Sequence, residues 1–251
     1  MEEGVMGLLR RDDVQGLLQH LEMRGRTYIA VFALGFLAGY PAAEVIIEWF
    51  IESDGYVPEG VVVIILQPLE VILLQLRIAG QIGLGMMVLA VVMDLSWNGR
   101  AIISKGVRNV TWRVGFVKAV SVLFTTLVLG ALGLAYAHTV LIPFLLQYLS
   151  EDAAASGLQS TWQLQSWIGF VTGLYFSSAV GFQVPVVVVV LLRSELIERS
   201  VIVENRGVLW FTALFLGALI SPPDPISLFL VGGPMLVLLE LALVYDKAFS
   251  G

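Results

Sequence analysis

The sequence predicts an all-α, polytopic membrane protein with six transmembrane helices and both termini in the cytoplasm. Three observations predict this class. The 251 residues are 58% hydrophobic and 14% charged, whereas soluble domains carry about 45–50% apolar and about 25% charged residues. The mean hydropathy is +0.88, and apolar runs recur along the chain at lengths near the roughly 20 residues that a spanning helix requires. The basic residues fall almost entirely on one side of the resulting topology.

The chain is predicted to form a single membrane domain over residues 1–251. Its N-terminus, residues 1–26, is charged and has no signal-peptide pattern, so the first apolar run is expected to remain as an uncleaved anchor. The predicted spans are residues 27–51, 69–95, 114–137, 166–192, 207–220 and 226–245.

Proline and polar segments set most of the boundaries between these spans. The polar segment Glu52–Gly60 ends the first span. Pro68 divides the next apolar stretch into a short lead-in and the second span. Residues 139–165 are expected to form a short helix at the membrane surface and then a loop. Pro185 is expected to kink the fourth span, and the short fifth span forms a tight hairpin with the sixth.

The orientation follows from the positions of the basic residues. Of the 14 Lys and Arg residues, all but Arg77 fall on one side of the alternating topology, which the positive-inside rule places in the cytoplasm. Arg77 lies within the second span, where a charge is costly. It either snorkels outward, pairs with Glu70 on the same helix, or serves a function.

The composition excludes several classes of function. The chain has no cysteine, and only His20 and His138 offer imidazole, so we expect neither a metal centre nor any other cofactor. No metalloprotease, nucleophile-elbow or phosphate-loop motif is present in the sequence, which argues against an enzyme. The net charge of −6 argues against nucleic-acid binding. A high-salt cytoplasm is one hypothesis for this acidic balance.

Polar residues inside the membrane are candidates for function. Gln183, in the fourth span, either hydrogen-bonds a neighbouring helix or lines a cavity or partner groove. Glu240, in the last span, is protonated, paired, or solvated near the cytoplasm, or it is functional. The segments Pro222–Pro225 and Glu22–Arg26 have simple structural interpretations as a rigid turn and as juxtamembrane charge. The glycine pairs Gly35/Gly39 and Gly169/Gly173 fit close helix approach.

The order of these features resembles the TatC family, the multi-span core subunit of the twin-arginine protein translocase. The resemblance covers about Leu17 to Tyr245. The motifs that carry it are, in chain order, Glu22-Met23-Arg24-Gly25-Arg26 for E-L-R-x-R, Pro68-Leu69-Glu70 with Arg77 for P-x-E and a basic residue, Phe182-Gln183-Val184-Pro185 for F-E-x-P, Ser221-Pro222-Pro223-Asp224 for the TPPD-type hairpin, and Gly233-Pro234-Met235 with Glu240 for the mid-helix proline and glutamate.

The resemblance implies a concave helical bundle in the plasma membrane that translocates folded proteins, driven by the proton-motive force. Glu22 and Arg24 would belong to the cytoplasmic surface that receives twin-arginine signal peptides, because carboxylates bind guanidinium groups through paired hydrogen bonds. Phe182, Gln183 and Pro185 would lie where single-span partners of the TatA and TatB type dock. The chain is expected to be oligomeric.

Departures from the family pattern leave alternatives open. The first cytoplasmic loop lacks the family's phenylalanine–proline run and its glutamate, and Asp94 is the only acid there. Gln183 replaces a glutamate, and Leu228 replaces a polar residue. The chain is therefore either a core subunit with a variant site, or an accessory or degenerate copy, such as one unit of a tandem arrangement. A small-solute transporter is a third interpretation. Such a protein would have polar residues converging at the midplane, and few do so in this sequence.

Overall fold

The computed structural model describes residues 11–53, 55–58, 60–103, 112–157, 160–193, 199–220 and 225–249. The candidate residues Pro222, Pro223 and Asp224 lie outside this part. The elements in chain order are α1 (Arg11–Glu52), β1 (Val62–Ile64), α2 (Glu70–Ile103), α3 (Trp112–Tyr136), a π-helical turn (Ala137–Leu141), α4 (Ile142–Ala155), β2 (Thr161–Gln163), α5 (Leu164–Gly181), α6 (Val184–Arg193), α7 (Arg199–Glu204), α8 (Arg206–Ile220) and α9 (Pro225–Phe249).

The predicted helical membrane class is confirmed. Four helical segments of the described chain are long and apolar enough to cross a bilayer, and they are Glu22–Glu52, Glu70–Asp94, Val120–Ala155 and Leu164–Val190. The last two helices, α8 and α9, pack against each other. With 15 residues, α8 is shorter than the roughly 20 residues of an ordinary spanning helix.

The first two helices are antiparallel and approach closely at glycines. A Cβ on Gly35 would lie 2.9 Å from the Cα of Gly83, and a Cβ on Gly39 would lie 3.1 Å from the Cα of Ala79. Larger residues at these positions would hold the two backbones apart, so the close approach expected at Gly35 and Gly39 is confirmed.

The third helix does not end where the sequence predicted. α3 passes through the π-helical turn directly into α4, and one helical segment runs over Val120–Ala155. Its 36 residues correspond to about 54 Å, which exceeds the roughly 30 Å hydrocarbon core. The expected separate surface helix is therefore a continuation of the third span. Leu141 in the π-helical turn and Leu145 in α4 are both buried in the core.

The fourth predicted span is broken into α5 and α6. Pro185 has no N–H to donate to the carbonyl of Gly181, so the hydrogen-bond ladder of α5 stops at that residue. Pro185 then occupies the second position of α6, where an intrahelical donor is not required. The kink expected at Pro185 is thus a break at Phe182 and Gln183.

A short parallel sheet lies beside the start of α2. β1 pairs with β2, so that Val62 is opposite Thr161 and Ile64 is opposite Gln163. Glu70, fully buried at the start of α2, accepts a hydrogen bond on Oε1 from the Nε2 of Gln163 at 2.7 Å. The same oxygen accepts two backbone N–H groups of the preceding turn, each at 2.8 Å. Glu70 therefore fastens the sheet to α2.

Candidate functional site

A buried carboxylate joins α1 to α2 at the end of the bundle that the basic residues place in the cytoplasm. The guanidinium Nη1 of Arg24 is bonded to Oδ1 of Asp94. The hydroxyl of Tyr28 donates to Oδ2 of the same carboxylate at 2.7 Å. Asp94 is 8% exposed, and a carboxylate at that depth is tolerated because a cation and a hydroxyl bind it.

Glu22 is placed differently from Arg24. The two residues are two positions apart on α1, which corresponds to about 200° around a helix. Both side chains are exposed, but Arg24 reaches Asp94 on α2 and Glu22 points away from it. Glu22 forms no hydrogen bond or ion pair with the described residues. Of the two candidate residues for peptide binding, Arg24 is engaged within the chain and Glu22 is available.

Asp94 is not among the site residues predicted from the sequence. The sequence places it in the first cytoplasmic loop as the only acid there, but α2 continues beyond it to Ile103. The usable signal was an acid at the cytoplasmic end of the second span, opposite a basic segment before the first span.

Gln183 lies in the break between α5 and α6 and is 5% exposed. Its Nε2 donates to the backbone carbonyl of Thr126 on α3 and to that of Ala179 on α5, each at 3.2 Å. The hydrogen bond to a neighbouring helix, one of the two roles open from the sequence, is therefore present. Oε1 of Gln183 and Oγ1 of Thr126 are buried and have no hydrogen-bond partner among the described residues.

Glycines on α3 make room for this break. A Cβ on Gly130 would lie 3.3 Å from Nε2 of Gln183, and a Cβ on Gly133 would lie 2.6 Å from the carbonyl oxygen of Ser178. Phe182 and Pro185, the other two candidate docking residues, are half-buried beside Gln183. The three candidate docking residues are thus brought together at one interruption of the helix.

Pro234 has an identifiable structural consequence on α9. Because proline has no N–H, the carbonyl of Leu230, four residues earlier, loses its helical donor. The hydroxyl of Tyr136 on α3 donates to that carbonyl at 2.8 Å. The backbone defect of one helix thus becomes a hydrogen bond between α3 and α9.

Glu240 is paired rather than isolated. Its Oε2 lies 3.6 Å from Nη2 of Arg206, and its Oε1 accepts a hydrogen bond from Nε1 of Trp210 at 3.3 Å. Both partners lie on α8. Of the roles open to Glu240 from the sequence, the structure shows pairing, and the pair ties α8 to α9.

His138 also takes part in a hydrogen-bond network. Its Nδ1 lies 2.9 Å from the hydroxyl of Tyr56 and 2.8 Å from that of Tyr175, and the two hydroxyls are 2.8 Å apart. Within the part of the chain that the structure describes, no group of three or more His, Cys, Asp or Glu side chains could hold a metal ion.

These features define a class, a multi-span helical membrane protein whose costly polar groups mostly bind one helix to another. The family model described as Sec-independent protein translocase protein (TatC) matches residues 16–234. The chain belongs to the TatC family, and its function is that of a Sec-independent protein translocase subunit in the plasma membrane.

Individual relatives agree with this assignment. The chain is 24% identical to the TatC protein of Listeria innocua, over 91% of this chain and 89% of that protein. It is also 24% identical to TatCt of Haloferax volcanii, over 93% of this chain but 33% of that protein. A crystal structure titled as the twin-arginine translocase receptor TatC superposes with a TM-score of 0.71 at 20% identity, covering 93% of this chain and 99% of that one. The TatC fold is thus confirmed.

Proposed function

We propose that this chain receives twin-arginine signal peptides at its cytoplasmic face and that Glu22 binds the arginine pair. The observation that carries the proposal is the contrast on α1 between Arg24, which is held by Asp94, and Glu22, which is exposed and unpaired within the described chain. A free carboxylate can accept two parallel hydrogen bonds from a guanidinium group.

The ion pair between Arg24 and Asp94 supports this role electrostatically. An unneutralised Arg24 would repel an incoming arginine pair and would compete for Glu22. Bonding to Asp94 draws the Arg24 guanidinium towards α2 and balances its charge. Arg24 and Asp94 thereby leave the charge of Glu22 uncompensated for a basic ligand.

The break between α5 and α6 is the proposed docking position for single-span partners of the TatA and TatB type. Phe182 and Pro185 are half-buried there and present apolar surface, and the described residues offer no donor to the buried Oε1 of Gln183. A polar group of a partner helix would satisfy that oxygen after a small displacement, which is favourable in lipid. In this scheme Pro222, Pro223 and Asp224 shape the outer hairpin, and the chain assembles complexes without catalytic chemistry of its own.

Crosslinking in membranes tests the proposed receptor role. Membranes containing the chain and its small partners are mixed with a precursor bearing the twin-arginine signal or its twin-lysine form. We expect arginine-dependent crosslinking to fall at least about tenfold in Glu22→Gln, because a charged hydrogen-bond partner is lost. Glu52→Gln, at the opposite end of α1, is the matched control and should retain it. Equal crosslinking in both variants would contradict the role of Glu22.

An accessory copy without its own signal-peptide site is the second candidate. Asp94, the one acid of residues 93–109, already binds Arg24 and Tyr28. It is therefore not free to replace the glutamate that the family carries in that loop. Absence of arginine-dependent crosslinking in the wild-type chain, with partners present and the precursor inserted, would favour this candidate.

A further inference from the structure

The guanidinium group of Arg77 packs against two glycines of α5. A Cβ on Gly169 would lie 2.5 Å from Nη1 of Arg77, and a Cβ on Gly173 would lie 3.7 Å from Nη2. The guanidinium group therefore rests across the α5 backbone, within the membrane-spanning part of the molecule. Gly169, one of the glycine pair that the sequence suggested for close helix approach, thus leaves space for the cation, whereas a Cβ on Gly173 would be in ordinary van der Waals contact with it.

This cation has no ion-pair partner within the part of the chain that the structure describes. Arg77 is exposed, and it forms no hydrogen bond or ion pair with any described residue. Glu70, the partner considered from the sequence, uses its Oε1 for Gln163 and for two backbone N–H groups instead. Inside a bilayer an exposed guanidinium is costly unless water, backbone carbonyls or an anion bind it, and an acid from outside the chain would lower that cost.

An acid that likewise has no partner among the described residues lies on α1. Glu44 is exposed within the first spanning segment, and it forms no hydrogen bond or ion pair with the described residues. Glu44 and Arg77 do not meet within one chain, because Arg77 is directed towards α5.

The depths of these two charges match. The contacts of Gly35 with Gly83 and of Gly39 with Ala79 fix the antiparallel register of α1 and α2. In this register Arg77 is level with residue 41, so Glu44 lies three residues, or about 4–5 Å, nearer the outer end. Helical side chains lean towards the N-terminus of their own helix. Arg77 therefore leans outward and Glu44 inward, which closes the difference in depth.

We infer that Arg77 of one copy binds Glu44 of a second copy of this chain. When two copies have the same orientation in the bilayer, Arg77 of one copy lies at a depth that matches Glu44 of the other. Each copy presents a cation on one face and an acid on another. Such a head-to-tail contact is heterologous and can build rings or larger assemblies. The inference does not depend on signal-peptide binding.

Matched depth favours a second copy over a lipid phosphate as the anion. Arg77 is seven residues into α2, about 10 Å below its outer end. Its guanidinium group packs against Gly169 and Gly173 at that depth and does not extend to the surface. A lipid headgroup would have to be drawn into the hydrocarbon to reach it. Glu44 is already fixed at the required depth by the α1 helix.

A charge-swap experiment tests the inference. Two full-length copies with different affinity tags are co-expressed, and the fraction of one captured with the other is measured in mild detergent and in native membranes. Arg77→Glu alone and Glu44→Arg alone should each reduce capture at least about tenfold, because like charges then meet. Co-expression of one Arg77→Glu copy with one Glu44→Arg copy should restore capture, since both contacts again join opposite charges. This rescue also shows that both variants fold.

A control variant and a lipid measurement make the result decisive. Glu52→Arg changes an exposed acid at the outer end of the same helix and should leave capture within about twofold, because exposed charges contribute little. The inference would be overturned if either single variant were captured as efficiently as the wild type, or if the mixed pair did not regain capture. Loss of co-purified anionic lipid from Arg77→Glu with unchanged capture would assign Arg77 to a headgroup instead.

Discussion

Inside a bilayer a backbone carbonyl without a donor is costly, and Leu230 shows how one residue resolves that cost. Pro234 removes the helical donor, and the hydroxyl of Tyr136 replaces it from another helix. The mid-helix proline of the family pattern therefore creates an acceptor that holds α9 against α3.

The Tyr136 hydrogen bond should be worth about 1 kcal/mol. Tyr136→Phe is expected to lower the free energy of unfolding by that amount, measured by denaturation from lipid–detergent bicelles. In a Pro234→Ala background Leu230 regains its helical donor, so Tyr136→Phe should cost clearly less. An equal cost in both backgrounds would contradict the role assigned to Pro234.

Thr126 provides the opposite case, a hydroxyl that is buried without a partner among the described residues. Thr126→Val keeps the shape of the side chain and removes the unsatisfied oxygen. The change should be neutral or stabilising by up to about 1 kcal/mol, in the same unfolding assay. A loss of more than about 1 kcal/mol would show that the hydroxyl has a role that the single chain does not display.

At the scale of elements, the α1–α2 pair depends on close backbone contact. A Cβ on Gly83 would lie 2.8 Å from the carbonyl oxygen of Phe32, a backbone atom that cannot move alone. A Cβ on Gly80, on the same helix, would meet nothing within 4 Å. The two glycines thus form a matched pair for testing the contact.

Gly83→Ala is expected to destabilise the protein by about 1–3 kcal/mol, because the two helices must separate. Gly80→Ala is expected to be neutral or to stabilise by up to about 1 kcal/mol through helix propensity. Unfolding measurements on both variants check this difference. Equal effects would mean that the α1–α2 packing tolerates separation.

Hydropathy located the helices well because a bilayer demands long apolar runs, but it could not locate what packing creates. The parallel pairing of β1 with β2 joins residues about one hundred positions apart, and three-residue strands carry little local signal. The continuation of α3 into α4 depends on a π-helical turn at His138, which burial of Leu141 and Leu145 supports. Neither feature is visible in a hydropathy pattern.

The candidate residues show the same limit. The family resemblance groups Glu22 and Arg24 in one peptide-binding surface, but α1 begins at Arg11 and helical geometry turns the two side chains to different sides. Asp94 was assigned to a loop from the sequence, whereas α2 extends beyond it to Ile103. By contrast, the polar role of Gln183 followed from its position inside the fourth span, since an amide within the membrane usually hydrogen-bonds a neighbouring helix.

At the scale of the whole molecule, the distribution of basic residues predicts the orientation. The chain has no cysteine, so single cysteines can report sidedness without background. Met23 is exposed at the inner end of the first spanning segment, and Val57 is exposed in the outer loop. Each is replaced by cysteine in a separate variant. A membrane-impermeant maleimide on intact cells should label Val57→Cys and spare Met23→Cys until the cells are lysed. The reverse pattern would invert the topology.

We expect the inner end of the first spanning segment, Glu22–Glu52, to receive the twin-arginine signal, and photocrosslinking from that surface tests this role. A photoreactive amino acid replaces Met23, which is 76% exposed and adjacent to Glu22, and the same probe replaces Val57 on the outer side as control. The account predicts a precursor adduct at position 23 that disappears when the arginine pair is changed to lysines, and none at position 57 before translocation. An adduct at position 23 that persists with twin lysine would contradict it.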